Sequence, residues 1–136
     1  MRSIAKAMLE PTVSPGDLPQ AEIRLLEAAR EVAPRAVNPV SRFHVGAAVQ
    51  ASDGDPYTGT FFESSSFPLG VCAEAAALSA AVTAGVRDFD AIAVVGGDPK
   101  SLAPDRPITP CGGCRQRVYD ITGARPTGTW PCSVRT

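Results

Sequence analysis

The sequence predicts an α/β fold in which helices cover a mixed sheet, and three observations carry that prediction. Segments of helical period and strand period follow one another in the order α-β-β-α-β-α. Ala91 to Gly96 is a short, nearly continuous apolar run, as expected of a central strand buried on both faces. The chain has 136 residues, enough for one modest core.

Residues 1–16 hold Pro11, Pro15 and Gly16 without a clear period and read as an N-terminal arm. Residues 17–136 read as a single domain. A helix is expected from Asp17, because Asp17 with Gln20 forms a capping-box pattern and Pro19 is tolerated in a first turn. Ile23, Leu26, Ala29 and Ala33 recur at helical spacing, and Pro34 stops the run. Val45 to Ala51 reads as a strand, Asp53-Gly54 as a turn, and Thr58 to Glu63 as the hairpin partner. An alanine-rich helix is expected from Cys72 to Ala84, ended by Gly85. Residues 98–109, with Pro99, Pro104 and Pro107, read as a loop. Pro110 opens a last helix that Gly123 closes.

Thirteen basic residues against fourteen acidic ones give a net charge of −1. A protein that tracks a phosphate backbone carries a basic excess, so no nucleic-acid partner is expected. No apolar run approaches the roughly 20 residues that span a bilayer, so no membrane partner is expected either. MRSIAKAMLEPTVSPG lacks the apolar core of a signal peptide, which makes the cytoplasm the expected compartment. In a reducing compartment, Cys72, Cys111, Cys114 and Cys132 point to metal or redox chemistry rather than to disulfides.

Three of these cysteines fall at two expected helix N-termini. Cys111 and Cys114, at i and i+3, share one helix face and can bind one ion. The positive ends of two helices favour the thiolate that a metal needs. Three protein ligands leave a fourth zinc position open to water, the catalytic arrangement. Glu74, two residues after Cys72, can reach the same spot only from the first turn of its helix. A carboxylate there could take a proton from water and pass it to a leaving amine. Two simpler readings compete. A structural zinc site leaves a missing fourth ligand unexplained, and a redox Cys-x-x-Cys leaves Cys72 and Glu74 unexplained. His44, the single histidine, reads as a strand surface residue, Cys132 as a bystander and Trp130 as a packing residue.

Val71-Cys72-Ala73-Glu74 and Pro110-Cys111-Gly112-Gly113-Cys114-Arg115-Gln116 resemble the zinc signature of the cytidine deaminase family, with Cys72 where some zinc deaminases have His. Ser41-Arg42-Phe43-His44-Val45-Gly46-Ala47-Ala48 resembles the family's first strand, and Thr58 to Glu63 its ribose-binding segment. The resemblance covers roughly residues 17–123. It implies a three-layer α/β/α sandwich with a mixed central sheet, a Zn2+ cofactor and hydrolytic deamination of a cytosine nucleoside or another amino-heterocycle. By the same resemblance Phe43 packs on the pyrimidine ring and Glu63 bonds a sugar hydroxyl. The Ala73 backbone and the Thr109 carbonyl orient the base, and Glu74 moves the protons. It also implies a homotetramer.

Three positions depart from the family pattern. Phe61 stands where the family has a sugar-binding Asn; it or Phe62 faces the core, and strand register decides which. Ala75 stands where an Arg offsets thiolate charge, with Arg115 as the candidate replacement. The stretch from Thr127 to Thr136 shows no pattern for the strand and helix that follow in the family, so a less closed pocket is expected. Phe61 and Ala75 keep open a blasticidin-type substrate, and the C-terminal stretch keeps open a catalytically idle zinc protein.

Overall fold

The computed structural model describes residues 18–52, 54–98, 100, 108–122 and the backbone of 132–134. The expected arm (1–16), Asp17 of the expected capping box, Gly123, Trp130 and most of the 98–109 loop lie outside the described residues. Helix α1 spans Gln20–Val32, β1 His44–Ala51, β2 Tyr57–Thr60, α2 Ala73–Thr83, β3 Phe89–Gly97, α3 Gly112–Thr122 and β4 Cys132–Val134.

The sheet order is β2-β1-β3-β4. β1 is antiparallel to both β2 and β3, whereas β3 and β4 run parallel, so the sheet is mixed as expected. Successive strand residues point to opposite faces, and the core divides accordingly. Ala47, Val49, Ile92 and Val94 pack under α2 with Ala73, Ala77 and Leu78. Ala48, Ala93 and Val95 pack on the other face under α1 with Leu25, Leu26 and Ala29. Three layers result.

Several boundaries move. α1 begins at Gln20, where Pro19 O accepts the Glu22 and Ile23 amides. Pro34 ends it inside a 3-10 turn, Ala33–Arg35. β2 stops at Thr60 rather than Glu63. Phe61 still bonds β1 through Val45 O, but Phe62 exchanges both backbone hydrogen bonds with Val71, which draws the chain out of the ladder. The fourth strand was not expected. Cys132–Val134 pairs with Ile92, Ala93 and Val94, and three residues beside Pro131 are too few to show a period. Gly85 ends α2 as expected. At φ 94 it lets its own amide bond Val82 O and that of Val86 bond Ala81 O, closing a Schellman cap.

This topology aims the helix ends. β2 and β3 both run antiparallel to β1, so they run parallel to each other. Their C-terminal ends lie at the sheet edge where β1 begins, with His44 opposite Gly97 and Gly46 opposite Thr60. α2 follows β2 and α3 follows β3, so both helices start from that edge. No helix among the described residues is long and apolar enough to cross a membrane.

Close approach of α2 to the sheet depends on Gly59. A Cβ there would collide with the backbone of Ala73 and Ala77. Gly59→Ala is therefore expected to cost about 1–3 kcal/mol through overpacking. Gly54→Ala, in open space, should stay within about 0.5 kcal/mol of the parent. Urea unfolding of the two variants checks this, and equal stabilities would refute the close approach.

Candidate metal centre

Cys72 is the N-cap of α2, with extended backbone and no side-chain cap bond. The helix's first intrahelical bond runs from Ala76 N to Cys72 O. The amides of Ala73, Glu74 and Ala75 lie in the first turn, where a helix has no carbonyl of its own to offer. Cys111 occupies the equivalent place before α3. Its carbonyl accepts the Arg115 amide, and its Sγ accepts the Cys114 amide at 3.4 Å, as an N-cap side chain does.

The three Sγ atoms of Cys72, Cys111 and Cys114 lie within 4.8 Å of one another. Cys72 Sγ and Cys111 Sγ are 3.9 Å apart. That is far beyond the roughly 2.0 Å of a disulfide. It matches the about 3.8 Å between two sulfurs that each lie about 2.3 Å from one tetrahedral zinc ion. Among the described residues the donor set is therefore three sulfurs, which fits a zinc ion with one further position.

Burial pushes the Cys72 thiol up, and the neighbouring sulfur and the Glu74 carboxylate add to the rise. Burial and the Glu74 charge push Cys114 far up. Cys111 is more exposed and goes down, chiefly because the Cys114 amide bonds its sulfur. Such a crowded group of sulfurs is suited to bind a divalent cation. Glu74 lies beside them, only 5% exposed. Burial raises its carboxyl, while its own backbone amide, the Cys114 thiol and the Arg117 charge pull it partly back. A buried carboxyl drawn up from its ordinary range and set beside a metal site is suited to proton transfer at neutral pH.

The other sequence-derived candidates gather around this edge. Phe43 is partly exposed just before β1, and its Cε1 would meet a Cβ placed on Gly96 at 2.9 Å, with Ile108 Cδ1 at 2.8 Å. Phe43 and Ile108 thus close over Gly96. Phe61 is half-buried and continues the ladder opposite Val45, a residue packed against the α2-face core. It also sits two residues beyond Gly59, which touches α2, so Phe61 faces the α2 side and Phe62, at 47% exposure, faces away. Ala73 is fully buried, and Thr109 is exposed immediately before Pro110.

Glu63 has work that its sequence position did not reveal. Its Oε2 accepts the Val40 and Ser41 amides at 2.8 and 2.9 Å, and the Ser41 amide is the main cause holding its carboxyl below the usual range. This fastens the turn that leads into Phe43. Within that turn Arg42 adopts the left-handed region at φ 56, and His44 Nδ1 lies within reach of Asn38 Nδ2 and Arg42 O. His44 is therefore a half-buried partner of the turn rather than a plain surface residue. Arg115, the candidate charge replacement, stands immediately after Cys114. Arg115 Nε donates to Pro110 O at 3.0 Å, whereas it is Arg117 whose charge acts on Glu74. Spacing could have signalled Arg117, which stands three residues after Cys114 on the same helix face.

Among protein families, the one described as "Cytidine and deoxycytidylate deaminase zinc-binding region" matches residues 19–125. The chain belongs to that family. A cytidine deaminase from Sporosarcina psychrophila is 38% identical over 98 residues, covering 72% of this chain and 68% of the relative. A blasticidin-S deaminase from Bacillus cereus is 35% identical over 107 residues, covering 76% and 75%. A solved cytidine deaminase from Burkholderia pseudomallei superposes with a TM-score of 0.66 at 39% identity, covering 77% of this chain and 78% of that one. Zinc is thus the metal for which this cysteine cluster is built.

Purified protein is expected to carry about one zinc per chain, and Cys114→Ser, which changes the buried sulfur, should lose most of it. Elemental analysis checks both. A parent chain with a Cys111–Cys114 disulfide and no metal would contradict the site.

Proposed function

We propose that this protein is a zinc-dependent hydrolytic deaminase that converts a cytosine nucleoside to its uracil form with release of ammonia. The observation that carries the reading is the meeting of three sulfurs and a buried Glu74 at two helix N-termini. Zinc bound there lowers the pKa of a water and so supplies a nucleophile at neutral pH.

The remaining work belongs to the chain's own groups. Glu74 takes one proton from the attacking water and gives it to the ring nitrogen, then takes the second from the newly added hydroxyl and gives it to the amine, which departs as ammonia. Its raised affinity for a proton suits both directions of that transfer. An amide of the first turn at Ala73 and the carbonyl of Thr109 present a donor and an acceptor that orient the base. Phe43 packs on the pyrimidine face beside Ile108. Glu63 bonds a sugar hydroxyl while its Oε2 keeps the turn before Phe43 in place. Residues 17–136 act as one domain, in pyrimidine salvage in the cytoplasm.

Assembly into a homotetramer is part of this proposal. Val37, Val40, Phe62, Phe67, Leu69 and Val71 are exposed apolar side chains, and Val37, Phe62 and Val71 are joined by backbone bridges into one strip. An apolar strip of this kind needs a partner surface. Light scattering is expected to give about four times the 14.1 kDa chain mass, and a monomer would overturn this part.

Ammonia release from cytidine tests the activity itself. Glu74→Gln should keep zinc and fold while turnover falls by about 10²–10⁴-fold. Turnover near that of the parent would assign the protons to another group.

A second reading concerns the sugar, and Phe61 is the observation that favours it. Phe61 shares the face of Gly59 and Val45 beside the start of α2. Lining the pocket there, its apolar ring replaces the amide the family resemblance expects, whereas pointing into the core with Phe62 outward it leaves cytidine chemistry intact. Losing one partner for a buried polar group costs about 1–3 kcal/mol. Cytidine should then be turned over with kcat/KM below about 10⁵ M⁻¹s⁻¹, with Phe61→Asn raising it and with blasticidin S or cytosine competing as substrates. Efficient cytidine turnover that Phe61→Asn does not improve would leave plain cytidine deamination as the whole account.

A further inference from the structure

Three thiolates against one doubly charged ion leave a net negative charge, and Glu74 adds another acidic group beside them. Its neighbour Ala75 brings no charge to offset this. α3 carries two arginines close to its cysteines. Arg115 is tied through Nε to Pro110 O, the carbonyl just before the cysteine pair. Arg117 has a different place. A Cβ built on Gly113 would lie 3.3 Å from Arg117 Nη1 and 3.8 Å from Cys111 Sγ. Arg117 Nη1 and Cys111 Sγ thus both lie within 4 Å of one point above Gly113. It stands three residues after Cys114 and four after Gly113, the spacings at which helical side chains meet.

We infer that Arg117 is a positioning residue of the zinc site: its guanidinium, seated over Gly113 beside Cys111, balances the negative charge of the three sulfurs and so helps to hold the metal. A nearby positive charge favours the thiolates that zinc needs over the protonated thiols left when zinc departs, and so raises the cost of losing the metal. Arg117 does this without touching the metal and from an exposed helix surface. Its effect should accordingly be moderate and weakened by salt.

The inference rests on the three cysteines holding zinc, and the test separates the two. Zinc content of the parent is measured first, and then the rate at which zinc passes to excess EDTA, for the parent, Arg117→Met, Arg117→Lys and Arg24→Met. Arg24 lies on α1, across the sheet, and controls for net charge. Arg117→Met should release zinc roughly fivefold faster, about the upper end for an exposed ion pair. Arg117→Lys should stay close to the parent because it keeps the charge, and Arg24→Met should not change the rate. Thermal melting verifies that each variant is folded, with Arg117→Gln used if the Met variant is not. Parent-like release from Arg117→Met overturns the inference, as does equally fast release from the Met and Lys variants. A parent without zinc overturns the metal site itself.

Discussion

Two helix N-termini meet at one edge of a mixed sheet, and the chemistry of this chain is built on that meeting. Each end leaves backbone amides without helical partners and carries a partial positive charge. Three cysteines turn this into a metal site. Cys72 and Cys111 take the capping places, and Cys114 rises from the first turn of α3. Glu74 can serve the same point because it too lies in a first turn. One turn further along α2 it would face elsewhere.

Sheet topology is what makes the ends meet. β1 runs against β2 and β3, so the two strands that feed α2 and α3 finish at the same edge, beside Phe43. Small residues then set the depth of the layers. Gly59 lets the backbone of α2 lie close on one face, and Gly46 does the same for α1, where a Cβ would strike Ala29 and Ala33. α2, rich in alanine, has little side chain to hold it away from the sheet. The position of Cys72 and Glu74 thus depends on glycines in strands that carry no chemistry themselves. The turn fastened by Glu63 adds Phe43 to the same edge.

Local signals were legible in the sequence. Cysteine spacing, Gly85 and the apolar run before Gly97 each act within a few residues, and each element they predicted is present. The family resemblance supplied the layers. What the sequence concealed depends on contacts between distant segments. The pairing of Phe62 with Val71 cuts β2 short, and no period within Thr58 to Glu63 announces it. β4 exists because β3 has a free edge to offer, since three residues have little propensity of their own. Glu63 looked like a binding residue, and its bonds to the amides of Val40 and Ser41 are visible only once the turn is folded. Arg115 and Arg117 are nearly adjacent, and only geometry tells which of them lies over Gly113.

The central claim is that the two helix ends create an open zinc site of three sulfurs. X-ray absorption at the zinc edge of the purified protein measures this directly. The account predicts three sulfur neighbours at about 2.3 Å and one lighter oxygen or nitrogen neighbour at about 2.0 Å. Four sulfur neighbours would describe a closed structural site and contradict it.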